Sequence, residues 1–283
     1  MKQGAPGASD SPLATKMIRG TRVPALGFGT YQLEGEVCRS AVRSAIDVGF
    51  RHVDTARMYG NEKEVGEGIA ESGLDRGELF LTSKVWWDAL RPEEIESEID
   101  ASLHDLATDH LDLALIHWPN PDQPLEESLD AFRRLKSEGR VREFGVSNFP
   151  PSLFERAVQL GGVFCNQVEY HPLLAQDELL ALAREHDVLL TGYAPLAQGE
   201  TIGYRELEEI AAKHGKSSEQ VALRWLLEQD HVAAIPRSSK PEHIESNFDV
   251  FDFELDDDDR AVIDRLPKDR RQVDPSFAPD WEE

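Results

Sequence analysis

Short apolar runs alternate with amphipathic stretches along almost the whole chain. Eight runs read as strands: residues 26–29, 52–55, 79–84, 111–117, 143–147, 164–168, 189–194 and 233–236. They are short and apolar, as expected of parallel strands buried on both faces. The segments between them carry the helical period. Ile95, Ile99, Leu103 and Leu106 form one apolar stripe, and Leu125, Leu129, Phe132 and Leu135 another, each with charge on the opposite face. Pro92 suits a first helical turn and Gly139 a helix end. Ser217-Ser218 precedes a further helix with Val221, Trp225 and Leu226 facing inward.

Eight strands, each followed by a helix over about 250 residues, is the pattern of a (β/α)8 TIM barrel. An open doubly wound sheet is the competing architecture, and it usually carries a G-x-G-x-x-G turn for a dinucleotide. Gly27-Phe28-Gly29-Thr30 begins such a turn, but residue 32 is Gln, so the fingerprint fails. Residues 16–18 and 22–24, joined by Arg19-Gly20-Thr21, read as a β-hairpin able to plug the barrel bottom. Residues 256–266 read as an extra C-terminal helix, followed by an irregular tail. Residues 1–14 read as a flexible extension without the apolar core of a secretory signal. With no linker and no repeat, residues 15–283 are expected to form one domain.

Composition narrows the function classes. The 283-residue chain is 40% hydrophobic and therefore globular. No apolar run approaches the roughly 20 residues of a membrane span. The net charge of −24 disfavours nucleic acid and anionic membranes as partners. Only 9 of the 30 basic residues are Lys, and the acids are spread over helix faces; this acidic coat is the composition expected in a high-salt cytoplasm. Two cysteines and no C-x-x-C argue against a disulfide framework and for a reducing, cytoplasmic location.

The candidate chemistry lies at strand ends, where barrels of this type place their active sites. Asp54, Lys84 and His117 end three consecutive strands, and Tyr59 lies in the loop after the first. A free phenol has a pKa of about 10, and a neighbouring ammonium stabilises the phenolate and lowers that value. Lys84 can supply the ammonium, Asp54 its counter-ion, and His117 a group that orients a carbonyl. Each has a plainer reading. Asp54 and His117 could be structural, and Tyr59 a packed surface ring; Lys84 ending an apolar strand is harder to explain without a partner. His52, Asp54 and His117 resemble a weak metal site, but further ligands are missing, so no metal is expected. His171 before Pro172 suits a turn, Trp225 suits core packing, and Asp256 to Asp259 suit a helix start with solvated charge.

Gly49-Phe50-Arg51-His52-Val53-Asp54-Thr55-Ala56 with Tyr59-Gly60-Asn61-Glu62 resembles the aldo-keto reductase signature. So do Leu111-Asp112-Leu113 through His117-Trp118-Pro119, Gly145-Val146-Ser147-Asn148-Phe149, Asn166-Gln167-Val168-Glu169-Tyr170-His171-Pro172, Gly192-Tyr193-Ala194-Pro195-Leu196 and Ile235-Pro236-Arg237-Ser238. Within that family the chain resembles the prokaryotic 2,5-diketo-D-gluconate reductase-like branch. The resemblance implies NAD(P)H-dependent reduction of an aldehyde or ketone to an alcohol by hydride transfer. Tyr59 would be the general acid, with Asp54, Lys84 and His117 completing a tetrad. It further implies that Ser147, Asn148 and Gln167 hold the nicotinamide carboxamide, that Tyr193 stacks on the ring, and that Pro195 and Leu196 line the pyrophosphate path. Arg237 and Ser238 match an adenosine 2′-phosphate pair, and Asn247 an adenine contact. The chain departs from the family with His243 for a usual Arg and Ser246 for a usual Glu. Arg237 keeps one strong cation and Lys240 is a substitute, so NADPH is expected ahead of NADH.

Tyr31, Trp86, His117 and Trp118 are expected around the substrate, with Trp87 beside them and Phe277 and Trp281 added from the tail. The partner would be a small carbonyl compound and the protein a monomer. Two rivals make different demands. A barrel metallohydrolase would lose activity to a chelator and ignore NADPH. A slow, cofactor-sensing regulatory subunit would bind NADPH without appreciable turnover.

Overall fold

The computed structural model of the protein describes residues 14–281. The expected N-terminal extension lies outside them up to residue 13; Ala14 already joins the fold, its carbonyl accepting the Ala25 N–H at 2.9 Å. β1 (Thr15–Ile18) and β2 (Thr21–Pro24) form the antiparallel hairpin, turning at Gly20 with φ +84°. Lys16 ties this hairpin down by donating to the carbonyls of Leu227 (2.7 Å) and Gln229 (2.9 Å), and burial draws its amine down to about 8.

The eight expected strands follow: β3 (Phe28–Gly29), β4 (His52–Asp54), β5 (Phe80–Val85), β6 (Leu111–Ile116), β7 (Val141–Ser147), β8 (Val163–Glu169), β9 (Leu189–Tyr193) and β10 (Val232–Ala234). All are parallel and hydrogen-bonded in chain order. Backbone bonds from Gly27 N to Ala234 O (2.8 Å), Ala234 N to Ala25 O (2.8 Å) and Gly29 N to Pro236 O (3.0 Å) join the first strand to the last and close the barrel. Strand ends move by at most two residues from their sequence positions, the usual uncertainty of element ends. At Gly145 the β7–β8 register shifts and the two backbones approach so closely that a Cβ there would lie 2.3 Å from the Cys165 carbonyl oxygen, which a glycine alone tolerates.

Strand residues divide between two cores. Phe80, Leu113, Leu115, Phe164, Cys165, Leu189 and Ala233 pack together with Ile18 and Val23 of the hairpin, which is how the hairpin plugs one end. Leu81, Ala114, Ile116, Val146 and Leu190 face the other way, onto the helices. Those helices are α1 (Gly35–Val48), α2 (Glu62–Ser72), α3 (Pro92–Asp105), α4 (Leu125–Ser137), α5 (Pro151–Leu160), α6 (Asp177–Glu185), α7 (Arg205–His214), α8 (Ser218–Leu227), α9 (Pro241–Phe248) and α10 (Asp257–Asp264). Pro92 opens α3 and Gly139 follows α4 at φ +79°, as their positions in the sequence suggested.

Two features differ from the sequence reading. The connection after β9 carries α7 as well as α8; Leu207, Ile210 and Ala211 pack with Val221, Leu255 and Ile263 in a small separate core. Asp256 and Asp259 do start α10 through a capping box, yet their charge is not merely solvated. Lys213 donates to both (2.5 and 2.7 Å), and His214 lies 2.7 Å from Asp259. Among the described residues no helix is long and apolar enough to cross a membrane.

Candidate active site

Asp54 ends β4, Lys84 lies one residue before the end of β5, and His117 follows β6, so barrel pairing brings all three to one rim. Tyr59 joins them from a 3₁₀ turn, Arg57–Tyr59, that leads into α2. The fully buried Lys84 ammonium donates to Asp54 Oδ1 at 2.5 Å, to the Thr55 carbonyl at 2.8 Å and to the Tyr59 hydroxyl at 3.5 Å. Three acceptors around one –NH3+ match its three donors. The Tyr59 ring meets His117 edge-on at 5.6 Å, and the His117 Nδ1 is buried without a hydrogen-bond partner.

Burial dominates the electrostatics. It draws the Lys84 ammonium below its ordinary value against the opposing pull of Asp54. It also holds His117 well below the usual imidazole value, with Lys84 adding to the effect, so His117 is neutral near pH 7. The expected lowering of the Tyr59 pKa by Lys84 does not occur. Burial, the Asp54 carboxylate and then Tyr31 hold the phenol well above its ordinary value. The physical reason is that Lys84 has spent its charge on Asp54, leaving an ion pair beside the phenol rather than a free cation. Tyr59 therefore stays protonated through the neutral range.

The residues expected around a nicotinamide form a continuous hydrogen-bonded chain with this group. Gln167 Nε2 donates to Asp54 Oδ2 at 2.7 Å, and the Gln167 carbonyl accepts from Ser147 Oγ at 2.7 Å. Asn148 Nδ2 donates to the His117 carbonyl (2.9 Å) and to Ser147 Oγ (3.1 Å), while its Oδ1 accepts from the Tyr193 hydroxyl at 2.8 Å. Asn148 sits at φ +63°. After β9, Ala194, Ala197 and Gln198 also have positive φ; three non-glycine residues in that region mark a backbone held in an uncommon shape around Pro195 and Leu196. Farther along the rim, Arg237 is exposed and donates to Gln32 Oε1 at 2.9 Å. Ser238 accepts the Lys240 N–H (3.1 Å) just before α9, and Asn247 is buried in that helix. His243 and Lys240 are exposed on the same turn.

An aromatic wall stands on the other side. Trp86 meets His117 edge-on at 5.0 Å, and Tyr31 lies 5.0 Å from Tyr59. Phe277 of the tail fits among Trp86 (5.8 Å), Trp87 (5.5 Å, stacked) and Trp118 (5.4 Å), while Trp281 reaches Trp118 at 6.0 Å. Sequence reasoning did not assign several residues that hold this arrangement. Arg57 donates to Glu62 (2.6 Å), Glu98 (3.2 Å) and Asp105 (2.6 Å), fixing the turn that carries Tyr59. Asn61 Nδ2 donates to the Thr30 and Leu33 carbonyls, joining the first two strand loops. Glu169 is fully buried and accepts from the tail backbone at Gln272 (2.7 Å) and Val273 (2.8 Å). Asn61 and Glu169 lie inside recognisable motifs, which was the available signal; Arg57 had none beyond its position two residues before Tyr59.

The alternatives resolve into structure. His52 spends its ring on the Thr82 hydroxyl (3.1 Å) and the Pro24 carbonyl (3.4 Å). Among the described residues no group of three His, Cys, Asp or Glu is placed to hold a metal ion. His171 lies 2.9 Å from Glu169, and Trp225 packs against Tyr170 at 5.4 Å. Cys38 and Cys165 are free, buried thiols, each pushed up to about 12 by burial.

A barrel with this rim has close counterparts. The family model for the aldo/keto reductase family matches residues 25–268. The methylglyoxal reductase DkgB of Escherichia coli O157:H7 is 38% identical over 266 residues, covering 92% of this chain and 99% of that protein. A crystal structure ascribed to a 2,5-diketo-D-gluconic acid reductase B superposes with a TM-score of 0.93 at 40% identity, covering 98% of this chain and 99% of that one. The Bombyx mori aldo-keto reductase, solved in complex with NADP, matches with a TM-score of 0.87 at 30% identity, over 95% and 98% of the two chains. The chain belongs to the aldo/keto reductase family and is an oxidoreductase acting on carbonyl compounds.

Proposed function

We propose that the protein reduces small aldehydes and ketones to alcohols with NADPH, using Tyr59 as the proton donor. The observation that carries this reading is Lys84, whose single ammonium bridges Asp54 and the Tyr59 hydroxyl beside a neutral His117. A bound nicotinamide supplies the hydride. The rest of the step belongs to the side chains. A carbonyl oxygen set between Tyr59 and His117 gains electron density as it is reduced, and donors already aimed there stabilise that charge. The raised phenol pKa suits this role, because the proton leaves only for an oxygen as basic as the developing alkoxide. The phenolate left behind then recovers its proton from solvent, a return that its raised pKa favours.

The rim fits a dinucleotide. Ser147, Asn148 and Gln167 present amide and hydroxyl groups suited to a carboxamide, and Tyr193 offers a flat ring beside them. The backbone around Pro195 and Leu196 would line the pyrophosphate. Arg237, Ser238 and Lys240 lie just before α9, whose N-terminal dipole end would favour a phosphate, and Asn247 would meet the adenine. Arg237 supports NADPH over NADH, since it is the strong cation at that turn. Tyr31, Trp86, His117 and Trp118 would enclose the substrate. A relative named methylglyoxal reductase supports short dicarbonyls as candidates. The chain would act as one barrel domain, as a monomer, in a reducing cytoplasm that keeps Cys38 and Cys165 as thiols.

The test is turnover of an aldehyde panel, followed by loss of NADPH absorbance, in wild type and Tyr59→Phe. The variant should bind NADPH as wild type does and lose about 10²–10⁴-fold in kcat, the range for a lost general acid. Normal turnover in Tyr59→Phe would remove Tyr59 from this role.

A further inference from the structure

The tail leaves the barrel in two stages. Residues 268–270 run beside the β8–α6 loop, with Ala175 N donating to Lys268 O (3.0 Å) and Arg270 N to Leu173 O (2.9 Å). Next come the Gln272 and Val273 N–H groups, both given to the Glu169 carboxylate. Beyond Val273, Ala278 N donates to Pro275 O (2.8 Å) and Trp281 Nε1 to Asp274 Oδ1 (2.9 Å) within the tail. Ring contacts also set this stretch against the barrel: Phe277 among three tryptophans, and Trp281 between Trp118 and the Arg271 guanidinium, 3.7 Å from its ring.

We infer that Glu169 is a positioning residue for substrate binding: it clamps the tail so that Phe277 closes the aromatic wall over Tyr59 and His117. This rests on the reading that the wall receives the carbonyl compound. Glu169 ends β8 on the rigid barrel, two residues after Gln167, and is fully buried. Its three partners, the Gln272 and Val273 N–H groups and His171, make it a charge-assisted anchor of the stronger kind. A neutral side chain of the same shape breaks it, because an amide offers one acceptor and turns an –NH2 toward a backbone donor. The effect should depend on substrate size. A ring-bearing aldehyde uses the wall that Phe277 completes, whereas a three-carbon dicarbonyl reaches Tyr59 and His117 without it.

The experiment compares benzaldehyde with methylglyoxal in wild type, Glu169→Gln, Phe277→Ala and the double variant, all with NADPH. Glu169→Gln should raise KM for benzaldehyde about ten-fold, equivalent to about 1.4 kcal/mol. KM for methylglyoxal should change less than about two-fold, with kcat for both and the NADPH Kd close to wild type. Acrylamide should quench tryptophan fluorescence more strongly in Glu169→Gln, as Trp86, Trp87 and Trp118 become accessible. Phe277→Ala leaves the barrel intact and should reproduce the KM pattern, and the double variant should be no worse than Phe277→Ala alone, since both act through one wall. Equal kcat losses on both aldehydes, a weakened NADPH Kd, unchanged quenching, or multiplied effects in the double variant would each overturn the inference. If wild type reduces neither aldehyde, the reductase reading fails instead, and the quenching comparison still decides whether Glu169 holds the tail.

Discussion

Replacing Lys84 with methionine isolates what the buried ion pair does. Methionine nearly matches lysine in length and fills the same slot, so little cavity is created. What disappears is the donor to Asp54 (2.5 Å), the Thr55 carbonyl (2.8 Å) and Tyr59 (3.5 Å). The Asp54 carboxylate, 2% exposed, keeps only Gln167 Nε2 at 2.7 Å. Stranding one member of a buried pair costs about 3–5 kcal/mol. For a chain of this size that is a fall in Tm of about 6–10 °C, at about 2 °C per kcal/mol. Asp54→Asn should be costly for the mirror-image reason, as it leaves a buried ammonium among neutral oxygens with no counter-charge.

The double variant Lys84→Met/Asp54→Asn decides the matter, because it removes both charges together. Its loss should fall short of the sum of the single losses by about 2–3 kcal/mol, the scale of coupling between residues in direct contact. Urea unfolding of the four proteins measures this directly, and single-turnover kinetics on the same samples give the loss of the chemical step. A Lys84→Met loss below about 1 kcal/mol would refute the reasoning, as would additivity of the two substitutions, since either shows that the pair is not electrostatically closed.

Three other substitutions or conditions probe separate parts of the molecule. Arg237→Ala should weaken NADPH far more than NADH in fluorescence titrations, about ten-fold or more for a lost charge-assisted phosphate contact; equal losses would place Arg237 away from a 2′-phosphate. Burial keeps His52 and His117 neutral in the folded chain, whereas the unfolded chain takes up protons near pH 6.5. These rings therefore leave stability unchanged above that pH and erode it below, by about 1.4 kcal/mol per pH unit for each ring. His117→Gln should remove about half of that slope between pH 6.5 and 5.5 in urea titrations, and an unchanged slope would mean that His117 is charged when folded. With a net charge of −24, Tm should rise as KCl goes from about 0.1 M to about 1 M and the screening length shortens from about 10 to about 3 Å; a flat or falling Tm would contradict the acidic-coat reading.

Barrel and rim were legible in the sequence for different reasons. The strands were visible because residues buried on both faces are mostly apolar, which leaves short runs such as Leu113 to Ile116. The rim was visible because Lys84, a charge ending an apolar run, needs a partner, and Asp54 and His117 end the neighbouring runs. Helix α7 was missed because its buried stripe is only Leu207, Ile210 and Ala211 among acids, too narrow to stand out. The roles of Arg57 and Glu169 were missed because their partners lie 41, 48, 103 and 104 positions away. No local pattern encodes such a pairing. The direction of the Tyr59 shift was wrong for a related reason: residue types gave the cation, but only the geometry shows that Asp54 has already claimed it.

That correction changes how the rim is read. A phenol beside a free ammonium would ionise readily and would be a poor reservoir for a proton near neutral pH. Here the strands give Lys84 a carboxylate, the carboxylate a glutamine, and the phenol a dry setting. Before a carbonyl compound arrives the group carries one closed ion pair, a protonated phenol and a neutral imidazole. Charge then develops only on the reacting oxygen, where Tyr59 and His117 already face it, so on this reading the donors need little reorganisation as the barrier is crossed. The same burial that makes each of these side chains costly to mutate is what sets their protonation states for the reaction, and stability and catalysis at this rim are expected to fail together.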